Sequence, residues 1–74
     1  MNKSECMDSI LNELQIELKH QNDFIERLKG FNKELEAKGF QPLYSVQQVI
    51  AAGEQNAYRI QRAIAEIPLE DEEE

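Results

Sequence analysis

The chain of 74 residues, 41% hydrophobic and 31% charged with three glycines and two prolines, has room for a single core, because at this length folding buries only about 60% of the unfolded surface. Its one cysteine, Cys6, excludes an internal disulfide and a self-contained structural zinc site, and no stretch approaches the ~20 apolar residues of a transmembrane helix. The formal net charge of −7 is mostly C-terminal, since Glu70, Asp71, Glu72, Glu73 and Glu74 are five of the fifteen acids and leave ten against eight bases; the overall field repels phosphate, so direct nucleic-acid binding is not expected.

The N-terminus, Met1-Asn2-Lys3-Ser4-Glu5, runs into acids without the apolar block of a signal peptide, so a cytoplasmic, reducing location without membrane association is expected. From residue 4 to residue 38 apolar residues recur in alternating steps of four and three: Met7, Leu11, Leu14, Leu18, Gln21, Ile25, Leu28, Asn32 and Leu35. With Leu11 at heptad position a, the a positions continue through Leu18, Ile25 and Asn32, and the d positions are Met7, Leu14, Gln21, Leu28 and Leu35. Ile10, Phe24 and Phe31 fall at g and widen the stripe toward the broader face of a helix in a bundle. Ser4 is the expected N-cap, Glu5 and Asp8 suit the positive end of the helix dipole, and Lys33 and Lys38 suit the negative end. Asp23 with Arg27, and Glu34 with Lys38, are acid-first i,i+4 pairs. Gly30 falls at f, off the seam, where a kink is conceivable and the cost relative to Ala is about 1 kcal/mol.

Residues 39–45 form the expected turn. Gly39 is a natural left-handed C-terminal cap and Pro42 prevents the helix from resuming. Phe40, Leu43 and Tyr44 are expected to fold over the open end of the bundle as a lid. Ser45, with Gln48 three residues on, matches a capping box, and Tyr44 can staple onto Val49.

A second helix is expected over 46–67, its seam running Val46, Ile50, Gly53, Ala57, Ile60, Ile64 and Ile67. Gly53 and Ala57, with Ala52 beside them, allow close approach of another helix or of an aromatic such as Phe24 or Phe31. Pro68 ends the helix, and residues 68–74 read as an acidic disordered tail.

The fold class is therefore all-α: an antiparallel hairpin of two long helices over residues 1–67, assembling as a homodimeric four-helix bundle or coiled-coil-like assembly. About 34 residues of first helix span roughly 50 Å, and about 22 of second helix roughly 33 Å. Folding back from the turn, the second helix should reach only Leu18 or Ile16, leaving Cys6, Met7, Ile10, Leu11 and Leu14 to be covered by a second copy or by another protein. Asn32 and Gln21 are the expected devices for setting register and helix number. The residues expected to carry assembly or a partner are Met7, Ile10, Leu11, Leu14, Leu18, Ile25 and Leu28, with Ile50, Ile60 and Ile64 opposite.

Catalytic chemistry is not expected, and neither is a cofactor or metal. Glu17 and His20 have the Glu-x-x-His spacing of di-iron bundles, but they fall at g and c, straddling the outside of the helix, and Glu54 lies beside the seam. Cys6 lacks a basic neighbour one turn on that would activate it as a nucleophile. Arg27, Lys29, Lys33 and Lys38, with Arg59 and Arg62, are expected to form a basic zone around the turn half, best read as solvated flanks. Tyr58, Arg59 and Arg62 are the exposed group most like a partner surface. Residues 1–26 hold six acids and two bases, and residues 27–67 six bases and four acids, so the charge is polarised along the chain.

Two function classes follow. The first is a small non-catalytic interaction module, an adaptor or regulator acting through helix packing, whose partner is itself, another protein, or both. The alternative is a small acidic inhibitor, of a kind that suits phages and plasmids, whose acids, Glu13 and Glu17 among them, mimic nucleic acid and block a basic groove.

Overall fold

The computed structural model describes residues 2–68. It comprises two helices, α1 (Lys3–Ala37) and α2 (Tyr44–Glu66), packed against each other as an antiparallel hairpin. The acidic tail expected over 68–74 lies, apart from Pro68, outside the described residues.

The N-cap of α1 lies two residues earlier than Ser4. Asn2 is the N-cap: its side-chain oxygen accepts from the Glu5 N–H at 2.8 Å, and the Glu5 carboxylate accepts from the Asn2 N–H at 3.2 Å. Asn2 prevails because Glu5, three residues on, can return the hydrogen bond, whereas Ser4 has Met7 at that position. The helix runs unbroken through Gly30, and no atom lies within 4 Å of where a Cβ on Gly30 would stand. On its surface Asp23 is engaged by Lys19 at 3.1 Å rather than by Arg27.

α1 ends as its glycine dictates. Gly39 sits at φ 89°, the Phe40 N–H reaches back to the Leu35 carbonyl at 2.9 Å and the Gly39 N–H to the Glu36 carbonyl at 3.0 Å. These two bonds make a Schellman cap, and the left-handed residue between them favours glycine.

The segment after the cap departs from expectation. α2 starts at Tyr44, with Leu43 as an N-cap that has no side chain able to accept a hydrogen bond. Ser45 is therefore already inside the helix, and Gln48 donates instead to the Tyr44 hydroxyl at 3.2 Å. Within the single hairpin Phe40, Leu43 and Tyr44 form no lid; they stand 62%, 61% and 71% exposed. Two helices end in a seam rather than in a chamber, so there is no open core for these side chains to close. At its other end α2 stops at the extended Ile67 that precedes Pro68, as the proline requires.

Close approach sets the register. A Cβ on Gly53 would stand 3.1 Å from Ile25 Cγ1, 3.2 Å from Ile25 Cδ1 and 3.3 Å from Gln21 Nε2. The large residue over the small site is thus Ile25, 4% exposed, and neither Phe24 nor Phe31. Nearby, Asn56 Nδ2 donates to Gln21 Oε1 at 2.7 Å, a hydrogen bond between the two helices in this register. Antiparallel helices of equal rise carry this pairing outward, placing Ile60 level with Leu18, Ile64 with Leu14 and Ile67 with Leu11. α2 therefore covers about a turn more of α1 than expected, because the chain after the cap has already turned back along α1 before α2 begins, with Pro42 sharing a groove with Asn32, Lys33 and Glu36. Leu11 and Leu14 are half-buried within the single chain; Met7 and Ile10 lie past the end of α2.

The heptad seam is the least exposed line of both helices, yet only Ile25, Ala57 and Ile60 are buried apolar residues among those described. The accessible surface is 5875 Å², against roughly 4,700 Å² for a globular chain of 8.6 kDa. A molecule of 60 × 17 × 14 Å has a seam but almost no interior.

Candidate interaction surface

Beside the seam run two long edges, one formed by the e positions of both helices and one by the g positions. In an antiparallel pair e flanks e and g flanks g. The ion pair between Lys29 and Glu54, N to O 2.6 Å, marks the first edge, and the Gln21 to Asn56 hydrogen bond marks the second.

The e edge is polar, and its Lys29 and Glu54 are paired within the chain. Glu54 hydrogen-bonds Lys29 and, by its charge, holds the ammonium pKa above the ordinary lysine value. The same edge carries a shallow groove of about 250 Å³ lined by Asn22, Ile25, Glu26, Lys29, Glu54, Ala57, Tyr58 and Gln61. Nearer the turn a groove of about 260 Å³ is bordered by Asn32, Lys33, Glu36, Pro42, Gln47 and Ile50, so Asn32 faces this groove at the hairpin's edge.

The g edge, Glu17 and Asn56 apart, is apolar and open. α1 contributes Ile10, Phe24 and Phe31, and α2 contributes Val49 across from Phe31 and Ala63 across from Glu17. Phe24 is 40% and Phe31 60% exposed, and Ile10 and Val49 are each about half exposed (49% and 48%). The other exposed large apolar side chains are Ile16 on the outer side of α1, Tyr58 at the polar groove, and Phe40, Leu43 and Tyr44 at the turn; apolar side chains that share an edge mark an interaction surface in preference to scattered ones. The sequence showed the three g residues of α1 as a widening of the seam; only the register adds Val49 and puts all four on one edge.

Of the other residues singled out from the sequence, Leu18, Ile25 and Leu28 lie in the hairpin seam, Leu11 and Leu14 at its far end, and Met7 and Ile10 beyond it. Glu13 and Glu17, one turn apart and exposed, flank the g edge. Tyr58, Arg59 and Arg62 are all exposed on the outer side of α2, but Tyr58 leans to the polar groove and Arg59 to the opposite flank, while Arg62 lies 4.0 Å from Glu66. The basic zone expected around the turn is divided by the fold: Arg59 is level with Lys19 and Arg62 with Ile16, in the half away from the turn. Glu17 and His20 are exposed, and among the described residues no three of His, Cys, Asp and Glu are grouped to hold a metal. Neither helix is long and apolar enough to cross a membrane.

No protein-family model matches the chain, and no curated protein or solved structure matches it either.

Proposed function

We propose that the chain is a non-catalytic protein–protein interaction module of the cytoplasm that works by helix packing, with its g edge as the docking face and a second copy of itself as the first occupant. The observation that supports this most is the exposed line of Ile10, Phe24, Phe31 and Val49 on a hairpin with only three buried apolar residues among those described. The surface in excess of a globular chain, about 1,200 Å² per copy, is of the size a permanent homodimer interface removes when two copies contribute. The surface acids give less support to a nucleic-acid decoy, because the hairpin sets Arg59 and Arg62 back beside the acidic arm.

Mass in solution across a concentration series tests the reading. The expected result is a dimer down to micromolar concentration, and a monomer for Phe31→Glu that keeps its helical circular dichroism. Phe31 is exposed in the single chain, so its loss as an apolar residue leaves the seam intact and removes only the docking face. A Phe31→Glu protein with unchanged mass would overturn the assignment of that face.

A further inference from the structure

The g edge of α1 has an order that fits itself in reverse. Its g positions from Glu17 on are Glu17, Phe24 and Phe31, and the next in the series is Lys38, the C-cap of α1, so two copies laid antiparallel bring acid to base at both ends and aromatic to aromatic in the middle. Laid parallel, the same edge sets Glu17 against Glu17 and Lys38 against Lys38. Among the described residues neither Glu17 nor Lys38 takes part in an ion pair; the pairs there are Lys19 with Asp23, Lys29 with Glu54 and Arg62 with Glu66. Both are exposed, as are the two phenylalanines between them.

Resting on the reading of this edge as a self-docking face, we infer that the dimer is antiparallel and two-fold symmetric, with Phe24 packed on the partner's Phe31 and Glu17 paired with the partner's Lys38. A closed two-fold interface uses the same patch on both copies, so one acid-to-base match is made twice. The adjacent c positions agree in part: His20 comes level with the partner's Glu34, while Arg27 lies near its own symmetry mate beside the aromatic pair, the one like-charged meeting in this register. The stacked aromatic rings supply the attraction, and the flanking charges choose orientation and register, which is the usual division of labour at interfaces. In this register the arm up to about Gln15, Ile10 included, runs past the partner's turn, so the self-docking contact rests on the half of the edge that holds Phe24, Phe31 and Val49.

The lone Cys6, exposed near the start of α1, is a natural reporter. Spin labels on Cys6 of the full chain should lie about 65 Å apart in the antiparallel dimer, at 1.5 Å per residue from an axis midway between Phe24 and Phe31, and under about 20 Å apart in a parallel one. Lys38→Glu should weaken dimerisation about tenfold at low salt, and Glu17→Lys in the same chain should restore it, because the charge pattern is then reversed but still complementary. A long distance with rescue is the expected result. A short distance, or a Lys38→Glu dimer of undiminished affinity, overturns the orientation while leaving the docking face standing. A folded chain that stays monomeric at every concentration overturns self-docking itself, and with it this inference.

Discussion

The two edges of the hairpin are made by the same pair of helices and flank the same seam, yet one is chemically closed and the other open. On the e edge Lys29 meets Glu54 across the helices, and Asn22, Gln47 and Gln61 surround them with groups that water satisfies. On the g edge the cross-helix link among the described residues is Asn56 to Gln21, with Phe24 and Phe31 to one side of it carrying much of their surface into solvent. Seam positions make the hairpin. The positions one step outside the seam decide which side of it remains available, and here they decide differently on the two sides.

Removing the seam should erase the difference between the edges, because both depend on the helices staying in register. Ile25→Ala takes the best-buried side chain from above Gly53 and should cost about 2–5 kcal/mol, read as a lowered urea midpoint. Gly53→Leu should cost about 1–3 kcal/mol by forcing α2 off Ile25, where a Cβ already meets the side chain at 3.1 Å. Asn56→Ala acts on the g edge alone; it should lose about 1 kcal/mol with the Gln21 hydrogen bond, while the joint change of Gln21 and Asn56 to Leu should be close to neutral. The smallest effect belongs to the e edge. Because Glu54 raises the Lys29 pKa, the pair stabilises the fold in full at neutral pH and the contribution disappears as pH climbs through that raised value. Lys29→Met should therefore melt slightly below the unaltered chain at pH 7 and in step with it at strongly alkaline pH, with the gap at pH 7 narrowing in high salt. A Lys29→Met protein that melts as the unaltered chain does at every pH would show that the e edge gains nothing from its ion pair.

Much of the fold was legible beforehand. The alternating steps of four and three named every seam residue of α1 and α2, and Gly39 and Pro42 placed the turn, since a left-handed cap and a missing N–H act through their immediate neighbours. The ends of the helices were less legible. Asn2 and Ser4 are both good caps, and the choice between them rested on whether Glu5 or Met7 stood three residues on. Ser45 matched a capping box and went unused because the chain was already helical at Tyr44. Nor could the sequence show that Phe40, Leu43 and Tyr44 would stand in solvent, because a lid requires a chamber and two helices alone do not enclose one. The candidate face was half legible: Ile10, Phe24 and Phe31 share a heptad position, but their neighbour Val49 comes from 18 residues further along the chain than Phe31.

The charge distribution shows where the limit lies. Read linearly, the chain is acidic over residues 1–26 and basic from 27 to 67; folded, the return of α2 sets Arg59 and Arg62 beside the acidic arm. By itself the sequence determined which residues are helical, which face of each helix is apolar and where the chain turns, because propensity, periodicity and capping act within a few residues. Only the tertiary structure decided the register, through the fit of Ile25 into the space over Gly53, and with it how far α2 reaches and which edge is left open. Those depend on contacts between residues about thirty positions apart, whose pairing no local pattern specifies.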